Sequence, residues 1–468
     1  MLLRRYYDEK LAQAAYLVAC ERNKVGIVVD PDRNADFFID EAAREKIEIV
    51  GVTETHIHAD FVSGARELAQ RTGATLYLST CGTADWQYAF LNEATPLRDG
   101  SRITAGDVQI DVIHTPGHTP EHISFLLTDT VIADEPMGGL TGDFIFVGDV
   151  GRPDLLERAA GMLGTMEAGA RQLFASLQEF KKRPDYLQIW PGHGAGSACG
   201  KALGAMSQST LGYERLFNWA LAEDDEEKFV AHVLAGQPEP PAYFARMKRV
   251  NKQGPAPQPK KIPPLLDAVA IAKAISSGAT VVDTRLENEF GERHIERTIN
   301  IPRNKSFLNW VGSLVDYDAP AFFIGASDES ARAELARDLS LIGFESIAGV
   351  FPAEAIGSVA LPAEQTPQRS VGDTASSNGA VILDVRGRGE YETGHIPNAL
   401  NIPLGELEAR LSEIPPGKVV VHCQGGSRSA IAASILLRSG RDNVANMAGG
   451  FSEWESAGNP VERDDPEN

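Results

Sequence analysis

Glu54–Gly64 reads ETHIHADFVSG. Two histidines and an aspartate, His56, His58 and Asp60, fall within five positions, directly after the β-branched apolar run EIVGVT. Loops at strand ends are where α/β folds assemble sites. The placement recurs: His118 follows IDVIHTPG, Asp149 follows FIFVG, and His193 follows IWPG. Across the first half, strand-like runs such as KVGIVVD, ATLYLS, HISFLLT and LQIWPGH alternate with two helical stretches and Gly/Pro turns. Five of the ten histidines follow such runs, with carboxylates beside them, which reads as a metal site. Among these, His114 reads as an ordinary hydrogen-bonded side chain.

The chain has 468 residues, enough for two to four domains. Apolar residues make up 43% and charged residues 23%, a globular balance. The net charge of −21 argues against nucleic acid or an anionic membrane surface as partner. No apolar run approaches the roughly 18 residues that span a bilayer. The opening MLLRRYYDEKLAQ puts Asp8 and Glu9 where a secretion signal needs its apolar core. The four cysteines, Cys20, Cys81, Cys199 and Cys423, are far apart and form no CxxC pair, so neither a disulfide framework nor a thiolate zinc knuckle is expected. A cytoplasmic location is the expectation.

Two stretches rich in Pro and polar residues read as linkers, 251–264 and 361–374. They divide the chain into domains at 1–250, 265–360 and 375–464. The two smaller domains repeat each other. VVDTRLENEFGERHIERTINIP from Val281 matches ILDVRGRGEYETGHIPNALNIP from Ile382, so that Asp283, Arg285, His294 and Pro302 correspond to Asp384, Arg386, His395 and Pro403. Short β-branched runs, AVILDV and KVVVHC, and the helical pattern SRSAIAASILLRSG predict α/β modules with parallel sheets.

The motifs THIHAD, TPGHT, GD at Gly148–Asp149 and PGH at Pro191–His193 resemble, in order, those of the metallo-β-lactamase fold. The resemblance implies an αββα sandwich with metal between its sheets. Many members hold two metals and carry a histidine after the aspartate of the first motif. Here that position is Phe61, which has no lone pair to offer, so a single metal is expected. Two neutral imidazoles and a carboxylate form the facial triad of non-haem Fe(II) oxygenases, which leaves open positions for O2 and substrate. The persulfide dioxygenase branch, which GDVGRPDLL also resembles, implies His56, His118 and Asp149 as ligands of one Fe(II) per chain. His58 and Asp60 then orient ligands, Arg152 and His193 border the substrate pocket, and Cys199 is a pocket thiol.

Cys423 opens CQGGSR at the end of VVVH and the start of an apolar helix. Converging backbone N–H groups and a helix N-terminus stabilise an anion at such a sulfur. Gln424, Gly425, Gly426 and Ser427 line this loop, and Arg428 closes it. With the DVR and GHIPNALNIP motifs and the terminal NMAGGFSEWESAGNPV, the last module resembles a rhodanese domain. The Cys-x4-Arg loop has the length associated with sulfur transfer, one residue shorter than that of the related phosphatases. In the first copy, aligning AFFIGASDES with VVVHCQGGSR puts Gly325 at the cysteine position, with Asp328 and Glu329 adding negative charge, which implies a catalytically inactive module.

The whole chain thus resembles a persulfide dioxygenase followed by an inactive and an active rhodanese. The resemblance implies oxidation of a low-molecular-weight persulfide by O2 to sulfite and thiol, with Cys423 carrying sulfane sulfur that sulfite removes as thiosulfate. It also implies a homo-oligomer. The alternatives are a dinuclear zinc thioester hydrolase of the glyoxalase II kind and a non-oxidative sulfur-relay protein.

Overall fold

The computed structural model describes residues 1–463 except 156, 158–164, 202, 259, 326, 377 and 378. Residue 464, the expected end of the last domain, lies outside the described residues. The chain divides into two compact units, Met1–Pro259 with Ser340–Gly343, and Lys260–Leu339 with Phe344–Asn468.

In the first unit, six strands form one sheet in chain order: β1 (Leu2–Asp8), β2 (Gln13–Cys20), β3 (Val25–Val29), β4 (Glu48–Thr53), β5 (Thr75–Ser79) and β6 (Thr95–Leu97). Six more form a second sheet: β7 (Arg102–Ala105), β8 (Val108–His114), β9 (Ile123–Asp129), β10 (Gly138–Gly142), β11 (Gln188–Pro191) and β12 (Ser209–Thr210), again neighbours in chain order. Strand β2, QAAYLVAC, is buried on both faces. Its period-two alternation sends Ala15, Leu17 and Ala19 toward Phe38 and Ala42 of helix Ala35–Glu45 and Leu68 of helix Ala65–Thr72. Its other face sends Ala14, Tyr16 and Val18 toward Ile110, Phe125 and Leu140 of the second sheet. On the far side, helix Thr165–Phe180 buries Ala170, Leu173 and Leu177, at helical spacing, against Leu126 and Ile189. The result is the expected helix–sheet–sheet–helix sandwich.

The carboxyl ends of β3, β4, β8, β10 and β11 deliver Asp30, His56, His118, Asp143 and His193, respectively, to one edge of the two sheets. The first residues of the expected 251–264 linker instead end a helix that supports this edge. Asn251 lies inside helix Phe244–Gln253 and is buried. Its amide donates to the carbonyls of His58 (2.8 Å) and Phe61 (2.7 Å) and its Oδ1 accepts from the Ser63 N–H (2.9 Å). A polar side chain in a Pro/Lys-rich setting reads as solvated, yet here it satisfies the backbone of the His/Asp loop.

The second unit contains two parallel sheets. One runs in the order Ile299–Asn300, Thr280–Asp283, Ala321–Gly325, Ile347–Pro352. The other runs Gln368–Arg369, Val444–Met447, Val419–His422, Val381–Asp384, Leu400–Asn401. The repeat is therefore structural. Arg285 clasps Asp283 as Arg386 clasps Asp384, both at 2.6 Å. Phe290 stacks on His294 at 3.9 Å as Tyr391 stacks on His395 at 3.8 Å. The expected second linker also carries structure: Ala363–Glu364 pairs with His294–Ile295, Gln368–Arg369 joins the second sheet, and helix Val371–Ala375 follows. Among the described residues, no helix is long and apolar enough to cross a membrane.

Asn251→Ala strands three buried backbone groups at once. Calorimetry of the full chain is expected to show the first unit's transition lowered, with a loss of about 1–3 kcal/mol, while the second unit's transition stays in place.

Candidate active site

His56 and His118 present their ε-nitrogens to one carboxylate, that of Asp143. Asp143 Oδ2 lies 3.5 Å from His118 Nε2 and 4.0 Å from His56 Nε2. This oxygen is buried and has no hydrogen-bond partner. All three side chains are almost fully buried, and their donor atoms lie within 4.8 Å of one another.

The tautomers are set from behind. His118 Nδ1–H donates to the Arg152 carbonyl at 3.0 Å, which leaves the Nε2 lone pair free. Thr55 Oγ1 donates its one proton to Asp30 Oδ2 (3.0 Å), so it accepts from His56 Nδ1–H (2.9 Å), and the His56 Nε2 lone pair is likewise free. Burial holds both imidazoles below their ordinary range, in the neutral form that binds metals. Burial opposes ionisation of Asp143, yet the facing imidazoles of His193 and His118 hold its carboxyl well below the usual range. An unpaired buried carboxylate oxygen facing two imidazole lone pairs is a metal-binding donor set.

A second trio, Asp60, His193 and Cys199, also converges within 4.8 Å. Here both nitrogens of His193 are engaged by carboxylates, while Asp60 Oδ1 is buried without a hydrogen-bond partner among the described residues. His193 Nε2 binds Asp60 Oδ2 at 2.8 Å, and its Nδ1 binds Asp143 Oδ1 at 2.7 Å. Burial disfavours charge on His193, but the two carboxylates hold its pKa well above the ordinary range, so both nitrogens donate. Phe61 is fully buried, its ring 4.4 Å from that of His58. His58 Nε2 meets Asp30 Oδ1 at 3.1 Å. Burial pushes the Cys199 thiol well above its ordinary value.

In the second unit, strand Val419–His422 delivers Cys423 to the N-terminus of helix Ser427–Arg438. The Gly426 N–H donates to Cys423 Sγ at 3.1 Å, and Ser429 Oγ approaches at 3.5 Å. The loop is pinned from its far side, where the Phe451 N–H donates to the Cys423 carbonyl and the Ser452 N–H to that of Gln424. Arg428 makes a two-point pair with Glu390, at 2.6 and 2.8 Å.

Residues 9–193 match the metallo-beta-lactamase superfamily model and residues 369–457 the rhodanese-like domain model. A crystal structure of a metallo-beta-lactamase from Staphylococcus aureus subsp. aureus COL is 41% identical, spanning 75% of this chain and 99% of that one, with a TM-score of 0.67. The chain belongs to the metallo-beta-lactamase superfamily. Its lactamase-fold half is also similar to a probable polyketide biosynthesis zinc-dependent hydrolase, BaeB, of Bacillus velezensis, 26% identical over 209 residues, 44% of this chain and 84% of that one. Its rhodanese-like domain is similar to a sulfurtransferase of Allochromatium vinosum, 35% identical over 88 residues, 19% of this chain and 82% of that one.

Within the metallo-beta-lactamase domain, one expected residue is replaced. Asp149 is not beside the histidines: its Oδ1 accepts from Trp219 Nε1 (3.0 Å) and its Oδ2 from the Lys201 N–H (3.0 Å). Two of the chain's Gly-Asp pairs, Gly142–Asp143 and Gly148–Asp149, lie six positions apart. Strand β10 ends at Gly142, so Asp143 occupies the strand end and Asp149 lies beyond the next loop. Gly142 marks the correct pair. It has φ +50°, and a Cβ there would sit 2.6 Å from Thr55 Oγ1 and 2.8 Å from His122 Nε2.

His193 and Arg152, expected at the substrate pocket, are committed elsewhere. His193 bridges two carboxylates. Arg152 is buried, paired with Asp154 through two 2.7 Å contacts, and donates to the Ala198 carbonyl at 3.3 Å. Its own N–H donates to the Cys199 carbonyl at 3.2 Å, so Arg152 ties the turn carrying Cys199 to the backbone that orients His118. Sequence reasoning missed Asp30, Thr55 and His122. His122 Nε2 accepts from the Asp143 N–H at 3.1 Å. These three lie at or inside strand-like runs, where polar residues carry no spacing signal. The His114 Nε2–H donates to the Pro120 carbonyl at 2.8 Å, in keeping with its ordinary reading.

Anaerobic reconstitution with Fe(II), read by elemental analysis, distinguishes the two aspartates. Asp143→Ala is expected to weaken metal binding by more than the roughly 10–100-fold that loss of an outer partner costs. Asp149→Ala is expected to retain the metal.

Proposed function

We propose that the chain is a mononuclear non-haem Fe(II) persulfide dioxygenase coupled to rhodanese sulfur transfer. The observation that carries this reading is the unpaired Asp143 Oδ2 facing the free ε-nitrogens of His56 and His118, with Phe61 where a second-metal histidine is expected. Two imidazoles and one carboxylate would hold the ion through a single face, as in the facial triad. When bound, a ferrous ion supplies redox chemistry and open coordination positions. The net reaction, R–S–SH + O2 + H2O → R–SH + SO3²⁻ + 2H⁺, balances without another reductant.

The chain's own residues prepare the centre. His193 holds Asp143 Oδ1, so only Oδ2 remains for a metal. Asp30, through Thr55, fixes the His56 ring, and the Arg152 carbonyl fixes the His118 ring. Cys199 supplies a protonated, uncharged thiol beside Asp60 and His193. At Cys423, the Gly426 N–H holds negative charge on sulfur. Cys423 takes the outer sulfur of a persulfide, and sulfite removes it as thiosulfate. Carrying both activities on one chain raises the local concentration of the shared sulfite. The first rhodanese-like module, with Gly325 directly after Ile324 as Cys423 directly follows His422 in equivalent strand registers, serves as an inactive partner.

Oxygen uptake by the iron-loaded chain with glutathione persulfide tests the reading. Uptake is expected in the native chain and is expected to fall by at least ~100-fold in His118→Ala, the scale of losing an essential ligand. In Cys423→Ser, uptake is expected to persist while thiosulfate gives way to sulfite. Two zinc ions per chain with thioester cleavage and no oxygen uptake would instead establish a hydrolase.

A further inference from the structure

Among the described residues, no unmatched cation borders the Cys423 loop. Two arginines border it, and each is matched by a carboxylate. Arg428, the last residue of the loop, gives both terminal nitrogens to Glu390. Arg386 places one nitrogen 3.2 Å from Gln424 Oε1, but it is clasped by Asp384, donates to the Gly394 carbonyl at 2.8 Å, and lies 4.0 Å over the Phe451 ring. His422, adjacent to the cysteine, is fully buried and faces Asp384 at 3.6 Å. The groups that face Cys423 Sγ are thus neutral: the Gly426 N–H, the Ser429 hydroxyl and the helix N-terminus. The mouth is also open: a Cβ added to Gly425 or Gly426 would meet nothing within 4 Å.

This balance bears on the sulfur donor. A persulfide anion carries its charge on the outer sulfur, where the N–H groups converge, and its organic group needs room. Thiosulfate carries a further sulfonate, which needs a cation of its own. Asp384 is locked to Arg386 in the buried interior. Glu390, by contrast, is partly exposed, and it also accepts from the Gly387 N–H at 3.0 Å. It controls whether Arg428 is available.

We infer that Glu390 is the specificity-determining residue of the Cys423 loop: by pairing Arg428 it leaves no uncompensated cation at the sulfur, and so favours organic persulfides over thiosulfate as donors. This rests on the reading of Cys423 as a sulfur carrier. In the favoured step the Cys423 thiolate attacks the outer sulfur of R–S–SH. A Cys423 S–S bond forms, the donor's S–S bond breaks, and R–S⁻ leaves with the electron pair. With thiosulfate the same attack expels SO3²⁻. Neither step needs an external oxidant or reductant.

The test is the ratio of kcat/KM for thiosulfate to kcat/KM for glutathione persulfide, with cyanide as acceptor and the full chain as enzyme. Glu390→Gln keeps the acceptor for Gly387 but removes the charge that pairs Arg428. The ratio is expected to rise about tenfold, mainly through a lower KM for thiosulfate, and the gain is expected to shrink with added salt because it is electrostatic. The double variant Glu390→Gln/Arg428→Gln is expected to lose the gain. A ratio unmoved by Glu390→Gln, or a gain that survives the double variant, overturns the proposal. Undiminished transfer from both donors in Cys423→Ser would overturn the underlying sulfur-carrier reading instead.

Discussion

Asp143 stands between two environments and gives one oxygen to each. Its Oδ1 is held by a His193 ring that also binds Asp60, and its Oδ2 faces His56 and His118 with no hydrogen bond of its own. A buried carboxylate oxygen without a partner is costly, on the order of 1–3 kcal/mol or more when charged. It persists here because three layers of contact over-determine the loop: the two sheets deliver the strand ends, Asn251 closes the backbone from behind, and the Asp30–Thr55 and Arg152 contacts fix the rings. A metal ion relieves that cost. In the second trio, both nitrogens of His193 are already taken by Asp60 and Asp143.

The second unit handles negative charge by a different route. The Gly426 N–H and the Ser429 hydroxyl face the Cys423 sulfur, and the arginines that could add affinity for a multiply charged anion are matched by Asp384 and Glu390. The sibling module keeps the clasp between Asp283 and Arg285, the histidine stacked on an aromatic ring, and the strand order. It has Gly325 where the nucleophile would be. Sheet packing and loop chemistry thus rest on different residues in the two modules.

Much of this was legible in the sequence because it is periodic or local. The apolar runs KVGIVVD and HISFLLT and the helical pattern SRSAIAASILLRSG each report buried elements, and the 101-residue offset between Asp283 and Asp384 reports a repeat. The loop CQGGSR is contiguous, so its chemistry can be read directly. The candidate metal ligands come from three separate strand ends, and there the reading failed at one point. Two Gly-Asp pairs both follow apolar runs, and only the strand boundary at Gly142, with the close approach of Thr55 and His122, selects Asp143. Asn251 failed for a related reason: its partners are backbone groups almost 190 positions away, and no local pattern records them. Nor does sequence show that Arg428 is turned onto Glu390 or that His193 is spent between two aspartates. Those are facts of side-chain direction.

The most direct test of the central claim is diffraction at the iron edge from crystals of the Fe(II)-loaded chain. The account predicts one anomalous peak in the first unit, within bonding distance of His56 Nε2, His118 Nε2 and Asp143 Oδ2, with His193 still hydrogen-bonded to Asp60. A second peak between Asp60, His193 and Cys199, or a peak coordinated by Asp149, would contradict it.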